Sequence, residues 1–417
     1  MEEQKAPSLR FPEFEEEWNP IKLGNKTNKV GSGVTPRGGS NVYTDSGYLF
    51  IRSQNVNQNR LLLDDVAYIP EEIHKSMSSS VVYPKDILLN ITGASIGRSC
   101  LVTEEIEEAN VNQHVCIIRL KNTEVPKFYQ IYLASRRGQK LVYQGQAGGG
   151  REGLNFSSIR SFKFKIPKEP EQQKIASFLS AVDKKIEQLT RKKELLEEYK
   201  KGVMQKLFPK PGEQYPEFRF KDENGEDFPD WEVKRLGEIA DRITNKNTEN
   251  KYSFVLTNSA TQGIVSQTDY FDKDIANQNN LDGYYIVEQD DFVYNPRISV
   301  HAPVGPIKRN TLETGVMSPL YSVFRFSEDS IDYFESFFET TVWHKHMHSV
   351  ANYGARHDRM NITVDDFMSL PIPFPNEKER DKITYFLNEL NLKIHSSKKE
   401  LGSMLVFKKG LLQQMFV

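Results

Sequence analysis

The 417-residue chain of 48.1 kDa is longer than one hydrophobic core usually serves, and a prior of about 150 residues per domain divides it into two or three units. Its 55 basic and 57 acidic residues nearly cancel, which excludes a bulk electrostatic case for a polyanion partner and confines any nucleic-acid surface to local patches. Cys100 and Cys116 fit neither a disulfide framework nor a four-ligand zinc site, and no run approaches the roughly 18 apolar residues of a spanning helix, so two reduced core thiols and a cytoplasmic location are expected.

In chain order, a first globule over residues 1–166 carries short β-type runs bounded by turn formers: Tyr48 to Arg52, Asp86 to Thr92, Val115 to Leu120 and Phe162 to Ile166. A helix near Lys127 to Tyr143 interrupts them. Residues 167–210 then form a long helix, entered through Pro167 and Pro170 and closed by Pro209 and Pro211. Its apolar residues step by three and four as Ile175, Leu179, Val182, Ile186, Leu189, Leu196, Val203 and Leu207, a heptad seam interrupted by Lys193 and Lys200. A second globule over 211–374 repeats the plan with Phe254 to Thr257, Phe292 to Tyr294 and Tyr321 to Phe326 as strands and Asp332 to Ser349 as helix. Residues 375–417 repeat the long helix, with the seam Ile383, Leu387, Leu390, Ile394, Leu401, Met404, Leu411 and Met415 broken by Ser397 and Lys408.

The repetition is explicit, since residues 167–208 align without gaps onto 375–416 at a constant separation of 208. Lys174-Ile175 meets Lys382-Ile383, Phe178-Leu179 meets Phe386-Leu387, Lys200-Lys201-Gly202 meets Lys408-Lys409-Gly410, and Phe208 meets Phe416. In the globules, Trp18 with Leu23-Gly24 matches Trp231 with Leu236-Gly237, Asp86 to Asn90 resembles Asp291 to Asn295, and Leu154-Asn155 resembles Met360-Asn361. The pattern predicts an α+β protein with mainly antiparallel sheets. A seam of about five heptads containing lysines is marginal alone, so the two helices, each a rod of roughly 55 to 60 Å, are expected to pair within the chain.

Taken together, Ser32-Gly33-Val34-Thr35-Pro36, Phe50-Ile51-Arg52-Ser53, Asp86-Ile87-Leu88, Ile91-Thr92-Gly93-Ala94-Ser95-Ile96-Gly97 and Val111-Asn112-Gln113-His114-Val115, followed by Glu171-Gln172-Gln173-Lys174-Ile175-Ala176, resemble the specificity subunit of a type I restriction-modification system. The resemblance covers essentially the whole chain. The second globule keeps Asp291 and Asn295 but lacks the Thr-Gly-x-x-x-Gly signature, which implies a different DNA preference. The resemblance implies two target-recognition domains, each reading one half of a bipartite site in double-stranded DNA, separated by an antiparallel intramolecular coiled coil that sets the spacer and docks two modification subunits. It also implies no cofactor in this chain: S-adenosylmethionine belongs to the modification subunits, and ATP with Mg to the translocating, cleaving restriction subunits.

No catalytic centre is expected. Asn295-Pro296-Arg297 lacks the second proline and the aromatic of an amino-methyltransferase tetrad. The run Gly148 to Gly153 follows a helix and precedes a strand, the reverse of a dinucleotide fingerprint, and reads as a loop able to approach DNA. Asp230 and Glu232 with Lys234 lie too close in sequence for a metal-nuclease motif, and His344, His346 and His348 fall in a helical context where His346 points away from the other two, so no metal is assigned. DNA contacts are sought among polar and basic loop residues, because arginine pairs with guanine edges, amides with adenine, and both with phosphates. In the first globule these are Arg37, Arg52, Gln54, Asn55, Thr92, Asn112, Gln113 and Arg151; in the second, Asn258, Gln262, Arg297, His301, Arg356, His357 and Arg359. A self-contained methyltransferase and a coiled-coil adaptor that binds only proteins stand as alternatives.

Overall fold

The computed structural model describes residues 6–57, 59–147, 153–210, 212–270, 281–352 and 358–417. The chain divides into two compact units, Met1–Thr190 with Lys399–Val417, and Arg191–Lys398. The long helices are Glu169–Leu207 and Glu377–Gln414, so each begins in one unit and ends in the other.

In the first unit, strand Val115–Leu120 runs antiparallel between Thr27–Ser32 and Ile87–Asn90, with Ser99–Leu101 at the edge. Its β-branched sequence suits a strand buried on both faces. Alternation sends Cys116 and Ile118, with Ile87 and Leu89, toward a helical layer that contains Phe128, Tyr129, Tyr132, Ile175 and Leu179. Val115 and Ile117, with Leu88, face a second four-stranded sheet through Ile51 and Val111. In that sheet Tyr48–Ile51 pairs parallel with Ala109–Val111, while the other pairings are antiparallel.

The second unit repeats the first sheet with the same strand order: Ala240–Ile243, Ser322–Phe326, Phe292–Tyr294 and Ile307–Arg309, all antiparallel. The chemistry of its core differs. Phe292, Phe324, Phe326, Phe334 and Phe338 pack as an aromatic cluster, Phe326 stacking on Phe334 at 4.0 Å. Each unit also closes a short two-stranded ribbon at the entry to its long helix, Asn19–Lys22 with Lys163–Ile166 and Glu232–Arg235 with Pro371–Phe374.

The single helix expected over Lys127 to Tyr143 is two helices, Pro126–Ala134 and Arg136–Gly145. Extended Ser135 breaks the chain, and its hydroxyl caps the second helix by accepting from the Gly138 N–H. A Cβ at Gly138 would lie 2.2 Å from Tyr132 O, so glycine is what permits the tight turn. The expected helix over Asp332 to Ser349 is likewise split into Ile331–Phe338 and His344–Val350.

One arrangement recurs at the start of each long helix. Glu171, buried in the first helical turn, accepts from Arg10 Nε at 2.8 Å, from Arg10 Nη2 at 2.7 Å and from the Trp18 indole at 3.2 Å. Glu379 accepts from Arg219 Nε at 3.1 Å, from Arg219 Nη2 at 2.8 Å and from the Trp231 indole at 2.9 Å. The bidentate fork and the indole satisfy a carboxylate that would otherwise be costly to bury. At the far end of each helix an aromatic enters the other unit's core: Phe416 packs on Trp18, Phe128 and Tyr132, and Phe208 on Tyr333 and Phe337.

The helices run antiparallel in both units. Lys408 pairs with Asp183 and Lys185 with Glu400 in the first, and Lys398 with Glu197 in the second. Along the seam, Ile175, Leu179, Val182, Leu189, Leu207, Ile383, Leu387, Leu390, Ile394, Leu411 and Met415 are buried, whereas Ile186, Leu196, Val203, Leu401 and Met404 are half-buried. Lys200 leaves the seam to reach Glu339 at 2.6 Å. No helix among the described residues is long and apolar enough to cross a membrane.

Because Glu379 is fully desolvated and Lys398 pairs with Glu197 in solvent, the two ion pairs differ in weight. Glu379→Ala leaves the Trp231 indole without its acceptor and Arg219 with only the Phe228 and Pro229 carbonyls, and is expected to lower urea-unfolding stability by about 3 kcal/mol; Lys398→Ala is expected to cost under about 1 kcal/mol. Equal losses would contradict the structural role assigned to the glutamate.

Candidate nucleic-acid interface

In each unit one end of the main sheet gathers polar loops. Register places Ser32 beside Cys116 and Asn90 beside Val115, so the segments after Ser32, after Asn90 and before Val115 emerge level with one another. Asn90 is buried and donates to Ser53 O at 2.8 Å and Val56 O at 3.3 Å, tying the 53–57 segment to the same end. A chain of side-chain contacts crosses this end: Thr35 donates to Gln113, Gln113 Nε2 lies 3.1 Å from His114 Nε2, and His114 Nδ1 lies 2.6 Å from the Thr92 hydroxyl.

The first unit's candidates separate by burial. Arg37, Gln54 and Gln113 are exposed and Thr92 half-buried. Arg52 is engaged, its Nη2 lying 3.0 Å from Asp65 Oδ1, and Gln54 donates to the other oxygen of the same carboxylate at 2.5 Å. Asn55 and Asn112 are buried. Asn55 accepts from Arg52 N and donates to Leu62 O and Asp65 O, and Asn112 accepts from His114 N at 3.1 Å. Their amides serve the loop backbone and are withdrawn from the surface on which base edges would be read. Arg151 lies outside the described residues, as do residues 148–150 and 152 of the glycine run.

The second unit builds the same end with other side chains. Asn295 Nδ2 donates to Asn258 O at 3.0 Å, and Asn258 Nδ2 donates to Val293 O at 2.7 Å and Pro306 O at 3.2 Å. Asn258 is therefore a third buried amide that pins strands and leaves the candidate surface. Gln262 is exposed at the turn between Leu256–Ser259 and Gly263–Ser266. Arg297 and Arg359 sit opposite each other in an antiparallel bridge, and His301 is exposed in the loop that follows Arg297. Arg356 and His357 lie outside the described residues.

The same bridge exists in the first unit between Thr92 and Gly153. At one structural position, then, the first unit carries a threonine and a glycine and the second carries two arginines. Like charges opposite one another on neighbouring strands are unfavourable without a counter-charge. Among the described residues, Asp358 lies 3.8 Å from Arg359 and the Arg297 guanidinium has no partner. Such a pair is suited to an anion supplied from outside.

At the opposite end of each sheet a buried aspartate holds the scaffold. Asp86 takes a two-pronged contact from Arg119 at 2.8 and 2.7 Å and accepts from Tyr83 N; Asp291 does the same with Arg325 at 2.6 and 3.1 Å and with Glu288 N. Burial raises the Asp291 carboxyl above its ordinary pKa and Arg325 opposes the rise. Burial also raises the Cys100 and Cys116 thiols to about 12, which keeps both uncharged near neutral pH. His346 Nε2 lies 3.1 Å from Asp366 O, and burial lowers the His344 pKa. No group of three metal-capable side chains is assembled among the described residues.

Comparison with known proteins places this architecture. A model of the type I restriction modification DNA specificity domain matches residues 15–198. The chain is 22% identical over 406 residues to the chain assigned as the specificity subunit of type I restriction enzyme MjaX of Methanocaldococcus jannaschii, covering 95% of this chain and 92% of that one. Identity is 30% over 166 residues with the MjaVIII specificity subunit of the same organism, 40% of this chain and 38% of the relative. In fold it resembles the S subunit of a type I restriction-modification system from M. genitalium, with a TM-score of 0.58, 15% identity and 99% of both chains covered. A chain from a structure concerned with complex assembly and conformational transition of the type I restriction-modification system gives a TM-score of 0.52 at 15% identity, with 96% and 97% covered. A chain that builds one sheet twice and anchors each copy to a long helix through the same Arg–Trp–Glu contact thus resembles type I restriction-modification specificity subunits over nearly its whole length, with the family's DNA specificity domain matched over residues 15–198.

Proposed function

We propose that each unit reads one half of a bipartite site in duplex DNA and that the two long helices set the unspecified spacer between the halves. One observation carries this reading: the two units present the same pinned sheet end but differ in the side chains placed on it, Thr92 and Gly153 against Arg297 and Arg359. A shared scaffold with different loop chemistry is what two readers of different sequences require, because backbone contacts position a protein and base-edge contacts specify the sequence. The candidate readers are Arg37, Arg52, Gln54, Thr92 and Gln113, joined by Arg151, for the first half. For the second half they are Gln262, Arg297, His301 and Arg359, joined by Arg356 and His357.

The subunit itself performs no chemistry. Two modification subunits dock along the helices and transfer methyl groups from S-adenosylmethionine; restriction subunits supply translocation and cleavage with ATP and Mg; the assembly works in the cytoplasm. Docking is supported by apolar side chains left exposed on the long helices, Leu195 and Tyr199 on the first and Tyr385, Leu392, Val406 and Phe407 on the second. Large apolar side chains left exposed on a helix surface are the kind of group a protein partner covers. The limits 1–166, 167–210, 211–374 and 375–417 are proposed for the two recognition domains and their helices.

Inserting one heptad at matched positions of both helices adds about 10 Å to each and is expected to lengthen the spacer while both half-sites stay as they were, read by mapping methylated sites. Altered half-sites with an unchanged spacer would overturn the division of labour. Arg297→Ala is expected to weaken binding of the assembled complex by about 1–3 kcal/mol through the second half alone. Arg52→Ala, whose charge already meets Asp65, is expected to cost less. Anisotropy titrations on the methylated site check both, and an unchanged affinity for Arg297→Ala would remove it from the interface.

A further inference from the structure

The second unit has a protrusion that the first lacks. Its main-sheet loop runs from Asn295 to Gly305, whereas the corresponding loop of the first unit runs only from Asn90 to Gly97 and turns through the short 3-10 segment Gly93–Ser95. In the longer loop Ser299 N donates to Ala302 O at 3.0 Å and Ala302 N donates to Ser299 O at 3.1 Å. That reciprocal pair makes a hairpin whose tip is Val300 and His301.

The tip is held without being packed. Asn295 N donates to Pro306 O, Arg297 N to Asn295 Oδ1, Ile298 N to Asp358 O, Met360 N to Pro296 O, and Tyr294 Oη to Val304 O, all at 2.9 to 3.0 Å. Gly305 closes the base with φ +80, where an added Cβ would fall 2.1 Å from Asn295 O. On this braced stalk Val300 is 97% exposed. Turn tips favour glycine, asparagine and aspartate, and a β-branched side chain there gains nothing from its own fold. A valine is stiff about χ1, so little freedom is lost when it meets a partner.

The surroundings say which partner. No acidic residue occurs from Asn295 to Gly305, His301 shares the tip, and Arg297 with Arg359 stands at the base, so the finger is shaped for a polyanion. The apolar group that duplex DNA displays to a side chain is the thymine 5-methyl, and it lies in the major groove; the minor groove shows none. We infer that the hairpin Asn295–Gly305 enters the major groove of the second half-site and that Val300 reads a thymine there by packing on its 5-methyl group. This rests on the proposed reading that the second unit contacts DNA.

The test uses the assembled complex of this chain with its modification subunits and duplexes carrying the methylated site, with deoxyuridine replacing each thymine of the second half-site in turn. At one position the wild-type complex is expected to lose affinity about fourfold, the worth of one buried methyl group. Val300→Ala is expected to lose about the same on the thymine duplex and to be indifferent to deoxyuridine at that position alone. An unchanged thermal unfolding midpoint is expected for this exposed substitution. Val300→Ala responding to every deoxyuridine as the wild type does, or a second half-site without thymine, would overturn the inference. A wild-type complex with no sequence preference in the second half-site would overturn the reading beneath it and this inference together.

Discussion

A glutamate buried in the first turn of each long helix, forked by an arginine and touched by an indole, is the contact on which the architecture turns. Glu171 with Arg10 and Trp18, and Glu379 with Arg219 and Trp231, join the segment ahead of each sheet to the helix that leaves it. A buried carboxylate tolerates few geometries, because each lone pair must find a donor once water is gone. Ile175 and Leu179, or Ile383 and Leu387, then enter the core from the same helix face. The helix is thereby fixed in rotation as well as in position. At its other end Leu207 and Phe208, or Met415 and Phe416, enter the opposite core, so neither globule is complete without both helices.

This construction separates what must stay constant from what must vary. The strand order, the buried aspartates Asp86 and Asp291 with their arginines, and the amides of Asn90 and Asn295 recur in both units. Asp86, Asp291 and Asn90 are buried, and the arginines reach them from the half-exposed edge. The side chains that differ stand on loops at the one sheet end those amides brace, so a substitution there alters what is presented and leaves the core untouched. Rigid elements holding adaptable loops is the usual division between scaffold and recognition.

The helices and the repeat were legible in the sequence because heptad spacing and a matching register of Lys-Ile, Phe-Leu and Phe pairs leave few alternatives. The strands over Ile87–Asn90, Val115–Leu120 and Phe292–Tyr294 were legible for a similar reason, being apolar runs between turn formers. For the candidate site the sequence offered polar loops but not the bonds within them. Asn55, Asn112 and Asn258 stand in polar loops, yet a loop amide reads alike in sequence whether it faces solvent or bonds a carbonyl, and only the structure shows these three buried against the backbone. The Arg52 partner was not legible, because Asp65 is thirteen residues away. His114, placed between Gln113 and Thr92, was visible in the motif but not as a polar relay. Val300 carried no signal at all, since an apolar residue in a loop resembles any small core contact until its exposure is known. The helix breaks at Ser135 and after Phe338 were hidden by apolar spacing that continues through them.

The central claim is that one chain carries two independent readers at a set spacing. Single-molecule methylome sequencing of cells expressing this chain with its cognate modification subunit addresses it directly. The account predicts a new methylated motif of two defined halves separated by a fixed unspecified spacer. A single continuous motif, or no new methylation from a complex shown to assemble, would contradict it.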